Sequence, residues 1–369
     1  MKRKNKNKQW RDRRSRVIDN SHKDILRTRK KNHQGVEIQY KLGESVTKKT
    51  SLSNSSQNKR STVKMPSNFS IIDNDIETIK CFETIDKKIR LPITKKVFLD
   101  FSEVENLTID ALMYLIAFMK NCYKRGYYKP IMGNYPVNDA AKSILMSSGF
   151  LDYVKHLRDL DEEQVKNETS IMITVGSLVK PEVLANVCNL VQRAFSVDRI
   201  YTMFIYEMIG ELMANTEDHA FIDEAERKKV VNSWYLYVLI EDKKAKITVL
   251  DTGLGIPATI RKRLLEKLRD GLPFAGVDDS TYIFEALHGK HKNRKVFSRS
   301  RTEDENRNKG LPAIYNRYVQ GKIMNLKIIS NYGICSCVEE KQVKKDLQSR
   351  LPGTLLYWEI VINNESEVA

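Results

Sequence analysis

Glu211-Leu-Met-Ala-Asn215-Thr-Glu-Asp-His219 is the stretch from which the rest of the chain is best read. It closes a segment, Asp198 to His219, whose apolar spacing predicts a long helix. A spacing of four places Glu211, Asn215 and His219 along one side of that helix. A carboxylate and a carboxamide one turn apart can divide a task. The amide oxygen can ligate Mg²⁺, which keeps waters and phosphate oxygens as its other ligands, and the carboxylate can orient or deprotonate a nucleophile.

Working outward, Val231–Ile240 and Ala245–Leu250 read as strands around the charged turn Glu241-Asp-Lys-Lys244. Asp251-Thr-Gly253-Leu-Gly255-Ile-Pro257 follows the second strand directly. A carboxylate at a strand end can accept the exocyclic amino protons of adenine, and the two glycines let backbone approach a ligand without a Cβ in the way. Asn308-Lys309-Gly310-Leu311 stands at the entrance to a predicted helix, Leu311–Val319, where free N–H groups can meet phosphate oxygens. Pro352-Gly353-Thr354 opens the last strand, and its hydroxyl can reach a phosphate or a buried water. Upstream, Ile171–Val175 is strand-like and Pro181–Ala194 helical with Pro in its first turn. Ile256–Leu268 and Thr281–Leu287 read as helices, and Lys322–Ser330, Ile334–Lys341 and Thr354–Val361 as three closing strands.

Taken in order, these four features resemble the N, G1, G2 and G3 boxes of the GHKL ATPases, the superfamily of gyrase, Hsp90, histidine kinases and MutL. The resemblance spans about Ser170 to Val361, and the ending Asn215-Thr-Glu-Asp-His219-Ala220 is most similar to the anti-sigma-factor serine-kinase branch. It implies a Bergerat fold, a mixed sheet with helices on one face, binding ATP and Mg²⁺ under a mobile lid. It further implies Glu211 as general base, Asn215 as metal ligand and Asp251 as the adenine-reading carboxylate. Gly253, Gly255 and Gly310 match the backbone-contact glycines, Lys309 and Leu311 flank the phosphate loop, and Thr354 matches the closing Gly-Thr. The first glycine of the third box is replaced by Asn308, where Lys309 can compensate with charge. The lid candidate, His288 to Arg307, is strongly basic. Hydrolysis, phosphoryl transfer to a serine or threonine, and nucleotide sensing all remain open, as does homodimerisation, which many relatives show.

Before this module, Lys96-Val97-Phe-Leu-Asp100-Phe101 reads as a buried strand, Thr108–Asn121 as a helix apolar on most faces, Tyr127–Met132 as a strand and Asn138–Ser147 as a helix. Strands alternating with helices predict a small α/β domain. Val97 to Val104 and the apolar helix after it resemble STAS domains, the anti-sigma-factor-antagonist fold. The position of that family's phosphoacceptor serine falls in Thr108-Ile-Asp-Ala111, which has none, so Thr108 is expected to serve as a helix N-cap and the domain to dock or regulate.

Charge separates the remaining part. The chain has 369 residues and a net charge of +16, yet residues 1–64 hold 20 Lys/Arg against 5 Asp/Glu, a net of +15, leaving +1 for the other 305. This polar, aromatic-poor segment is expected to be a disordered tail. Its charge suits nucleic acid, ribosomes or an acidic membrane, or serves only to keep the chain solvated. The division expected is therefore a tail over 1–66, a STAS-like domain over 67–165 and an ATP-binding domain over 166–369.

Several classes are excluded. A 41% hydrophobic content with 16 Gly and 9 Pro rules out collagen-like and wholly disordered chains. The longest apolar run, Ala111–Met119, is nine residues, short of the about 20 that span a bilayer. No apolar run follows the basic start, so no secretory signal is expected. Five scattered cysteines, with Cys335 and Cys337 as a lone C-x-C, predict buried thiols in a reducing compartment, the cytoplasm by default. His156 has no acidic residue directly after it, no segment before Ile171 resembles a dimerising phosphoacceptor helix, and no transducer domain is expected past the final strand. A sensor kinase, topoisomerase or chaperone is therefore not the expectation; a regulatory protein acting on a protein partner is.

Overall fold

A computed structural model describes residues 60–155, 169–219, 231–267, 277–289 and 310–361. Residues 1–59, most of the lid candidate, His156, Asn308 and Lys309 lie outside them.

The chain is α/β. Its N-terminal lobe runs β1 (Arg60–Lys64), β2 (Asn68–Phe69), α1 (Asp75–Arg90), β3 (Lys96–Asp100), β4 (Asn106–Leu107), α2 (Ile109–Lys124), β5 (Ile131–Gly133), α3 (Asp139–Ser147) and α4 (Phe150–Lys155). The sheet order is β1-β3-β5 with parallel pairs throughout, so each neighbour is reached through a crossover helix, α1 and then α2. Two features differ from the sequence reading. Arg60–Lys64, assigned there to the tail, forms an edge strand because Val63 turns into the core beside Leu99. Helix α1 was missed, although Ile79, Phe82, Ile85 and Ile89 recur at helical spacing and are all buried. Thr108 does sit at the N-cap of α2, but its hydroxyl donates to Phe69 O instead of capping. Asp110 takes over the neighbouring donors, accepting from Ile71 N at 2.6 Å and Ile72 N at 3.1 Å.

The C-terminal lobe runs β6 (Ser170–Gly176), α5 (Pro181–Phe195), α6 (Arg199–His219), β7 (Trp234–Glu241), β8 (Lys244–Asp251), α7 (Ile256–Lys267), α8 (Asp279–His288), α9 (Leu311–Val319), β9 (Met324–Val338) and β10 (Lys341–Val361). The sheet order is β6-β7-β8-β10-β9. Every pair is antiparallel, which corrects the expected mixed sheet. The three closing strands are two long ones. Asn331, at φ 53°, bends β9 without breaking it, and shifts of register around Leu351 and Thr354 do the same for β10. Paired positive φ angles at Asp242–Lys243 and Glu339–Glu340 make the two tight hairpins.

Alternation along these strands divides the core into two layers. Trp234, Leu236, Ile247, Val249, Leu356 and Trp358 face α5, α6, α8 and α9. Tyr235, Leu250, Ile329, Leu351 and Leu355 face the other way, into one continuous core with α1 and α2. The N-terminal lobe therefore covers the back of the five-stranded sheet. Polar ties seal the joint: Asp75 pairs with Lys345 at 2.9 Å and Lys327 at 3.4 Å, Ser349 donates to Glu83 at 2.7 Å, and Val231 N donates to Asn121 at 2.8 Å.

Candidate functional site

At the end of β8, the register places four side chains in one row across adjacent strands. Trp234 pairs with Asp251, Asp251 with Thr354, and Thr354 with Ser330. Asp251 continues the alternation of Ile247 and Val249, and Thr354 that of Leu356 and Trp358, so both point to the helix-covered face. The two sequence-predicted residues thus arrive side by side from points about a hundred positions apart in the chain.

Asp251 accepts a hydrogen bond from Gly253 N at 2.6 Å. Burial pushes its carboxyl up to about 6, against the lowering effect of that N–H. The Gly253–Gly255 turn is held from below. Ile256 N donates to Ser330 Oγ at 2.9 Å, and Asn331 Nδ2 to Leu254 O at 3.0 Å. Gly255 sits at φ +84°, and a Cβ there would lie 2.5 Å from Asn331 Nδ2, 2.7 Å from Ser330 Oγ and 2.8 Å from Gly353 O. The glycine is required by packing as well as by dihedral. Gly253 is half-buried.

Ser330 is the hub. Its hydroxyl donates to Gly353 O at 2.8 Å and meets Thr354 Oγ1 at 3.0 Å. With the Ser330 hydrogen committed to the carbonyl, Thr354 is the donor of the second bond, and its lone pairs are left to accept. Thr354 itself is buried.

The helix residues approach from above. Glu211 and Asn215 on α6 are half-buried, and among the described residues neither has a hydrogen-bond partner. Asn215 faces Gly310, the N-cap residue of α9: a Cβ on Gly310, which has φ +69°, would stand 3.4 Å from Asn215 Nδ2. Leu311 opens α9 half-buried. Lys309 lies outside the described residues. The end of α6 is tied to the sheet by Asn232, whose amide donates to Thr216 O at 2.8 Å, and Ser233 N donates to Thr252 Oγ1 at 3.1 Å next to Asp251. Among the described residues Asn232 Oδ1 is buried without a hydrogen-bond partner.

Two groupings follow. The structure unites Asp251, Gly253, Gly255 and Thr354 on one platform, and Asn215 with Gly310 at a second point, joined through Thr216, Asn232 and Thr252. Sequence reasoning missed Trp234, Ser330, Asn331 and Asn232. Ser330-Asn331 is visible as a polar break in an apolar run, Ile328 to Ile334, but it reads as the end of the strand Lys322–Ser330.

Among the described residues no three His, Cys, Asp or Glu side chains converge as a metal cluster, and no helix is long and apolar enough to cross a membrane. A pocket of about 350 Å³ lies elsewhere, between the start of β6 and α5, and includes none of the predicted site residues. No protein-family model and no curated protein matches the chain.

Proposed function

We propose that the chain is an ATP- and Mg²⁺-binding regulatory protein of the GHKL type, a nucleotide-gated switch acting on a protein partner. The observation that carries this reading is the row of Asp251 and Thr354 at the sheet end, with Asn215 facing Gly310 above it. Its donor set suits an adenine nucleotide. The ionised Asp251 accepts the adenine amino protons, and the Gly253–Gly255 turn gives the base a Cβ-free approach. Asn215 supplies one neutral oxygen to Mg²⁺, a cation that needs few protein ligands when phosphates supply the others. Gly310, Leu311 and, from the segment before α9, Lys309 serve the phosphates at the helix N-terminus. Glu211, one turn before Asn215 and without a competing partner among the described residues, is placed on the helix to orient a water or a hydroxyl. The resulting chemistry is hydrolysis or transfer to a serine or threonine.

The N-terminal lobe, read as STAS-like, is the regulatory part. It rests on the back of the very strands, β8 and β10, that carry Asp251 and Thr354, so a ligand that shifts these strands changes the surface the lobe presents.

The test is calorimetric titration of ATP with Mg²⁺ into the wild type and Asp251→Ala, followed by phosphate release from wild type and Glu211→Ala. Micromolar binding lost in Asp251→Ala, with binding kept and turnover lost in Glu211→Ala, supports the reading. Absence of binding to a folded wild type removes it.

A second reading rests on the +15 charge of residues 1–64. In it the tail holds nucleic acid and the C-terminal lobe senses nucleotide. Deletion of residues 1–59 then abolishes salt-dependent DNA or RNA binding, whereas under the first reading partner binding survives the deletion.

A further inference from the structure

One end of the N-terminal lobe collects positive charge from the elements that meet there. Strands β1, β3 and β5 run parallel and start in register, Arg60 beside Lys96 and Val97 beside Ile131. Helices α1 and α2 feed β3 and β5, so their last turns stand at the same end. Helix α1 finishes with Lys87, Lys88 and Arg90, and α2 with Lys124 and the C-cap Arg125. Lys129 Nζ donates to Leu91 O at 2.5 Å and ties the connection before β5 to the one before β3. Residues 83–96 hold five Lys/Arg against two Asp/Glu, and 120–130 four against none. The two carboxylates, Glu83 and Asp86, pair with Lys87 at 2.6 Å and Arg90 at 2.7 Å. Helix dipoles account for cations on the last turns, but not for Arg60, Lys95, Lys96 and Lys129, which lie on strand starts and connections.

Aromatic rings stand among these charges. Tyr123 and Tyr128 are 41% and 43% exposed and meet edge to face, their centroids 5.0 Å apart. Arg90 lies over the half-buried ring of Tyr127 at 5.6 Å. The rest of the chain narrows the choice of occupant. Residues 1–59 carry 18 Lys/Arg against 5 Asp/Glu and join the lobe at Arg60, on this same end. Two positive stretches joined at one point repel each other, so a ligand that satisfies both is a polyanion. The exposed aliphatic residues on these segments are Leu91 and Ile93, too few for the apolar face that seats a protein in a bilayer. Exposed tyrosine faces set among cations suit unpaired bases and their phosphates.

We infer that this end of the N-terminal lobe binds single-stranded nucleic acid, its cations tracking the phosphates and Tyr123 and Tyr128 stacking unpaired bases. This goes beyond the second reading above, in which the tail holds nucleic acid by charge, because here the folded lobe selects single strands. It is independent of the nucleotide site on the C-terminal lobe.

Fluorescence anisotropy of the full chain tests it, with one labelled mixed-sequence oligonucleotide offered as single-stranded RNA, single-stranded DNA and duplex over a series of salt concentrations. Single strands are expected to bind more tightly than duplex. Tyr123→Ala and Tyr128→Ala should each weaken single-strand binding about tenfold with the salt dependence unchanged, whereas Tyr123→Phe and Tyr128→Phe, which keep a stacking ring, should hold it near wild type. Lys95→Gln combined with Lys96→Gln should reduce the slope of log affinity against log salt by about 1.4, as expected for two phosphate contacts on a single strand. All four positions are exposed, and circular dichroism checks the fold. Salt-dependent binding indifferent to every one of these substitutions would assign nucleic acid to residues 1–59 alone, overturning the inference and leaving the tail reading in place. Absence of binding by the folded chain would overturn both. Equal affinity for duplex would remove the stacking role. Tighter binding to vesicles of equal parts phosphatidylserine and phosphatidylcholine, lost in the same variants, would make this end a membrane surface instead.

Discussion

Asp251 and Thr354 stand opposite each other in the β8–β10 register, and the residue before Thr354 presses its backbone onto Asp251 itself. Gly353, at φ +94°, has no room for a Cβ, which would overlap the Asp251 carbonyl oxygen and crowd Thr252 Cα. The acidic side chain is therefore aimed by backbone contact between two strands.

Gly353→Ala and Gly255→Ala should each cost at least about 2 kcal/mol, since both add a left-handed backbone penalty to a steric one. Urea denaturation of each variant measures this. The loss at Gly255 should be accompanied by a shift of the Asp251 turn, because its neighbours Ser330 and Asn331 hold that turn.

Asp251 has a folded-state pKa near 6, above the ordinary carboxylate value of about 3.9. Between these values the native chain binds more protons than the unfolded one, so this group makes stability fall as pH rises from about 4 to 6. Asp251→Asn removes the penalty. The variant's urea midpoint relative to wild type should climb across that interval and level off above it. A difference independent of pH would show that the carboxyl is not desolvated.

Lys120 on α2 is enclosed by the rings of Tyr153 and Tyr235, at 6.0 and 5.5 Å, and burial lowers its pKa to about 8. Here the unfolded chain binds more protons between pH 8 and about 10.4, so the group adds stability as pH rises through that window. Lys120→Met should stabilise the protein at pH 7 and lose that advantage by about pH 10.4. Thermal unfolding of the pair at both pH values provides the comparison.

Because one core runs through α1, α2 and the back of the C-terminal sheet, the two lobes should unfold together. Calorimetry is expected to give a single transition for wild type. Asp75→Ala, which releases Lys327 and Lys345, should lower its midpoint, at a cost of about 1–2 kcal/mol, without splitting it. Two resolved transitions in the wild type would contradict the shared core.

Much of the C-terminal lobe was legible because its signals are local. Pro181 opens a helix, Asp251-Thr-Gly-Leu-Gly255 ends a strand, and Gly310 precedes α9 at a positive φ. What was not legible depends on pairing. Ser330 reads only as the last residue of a strand until β10 lies beside it, and only the register then shows that it carries Thr354 and the Gly255 turn. Arg60–Lys64 looks like tail because its charge hides one inward residue, Val63, whose value appears only when β3 is alongside. Helix α1 was missed because its mean polarity is high, although its buried face is regular.

The most direct test of the proposed nucleotide site is discrimination between ATP and GTP. Guanine presents a carbonyl oxygen where adenine presents an amino group, and Asp251 can accept only from the latter. Equilibrium titration of both nucleotides with Mg²⁺ should give micromolar ATP binding, GTP weaker by about tenfold or more, and a preference that collapses in Asp251→Asn. Equal affinity for the two nucleotides, or binding of neither by the folded wild type, would contradict an adenine site built on Asp251.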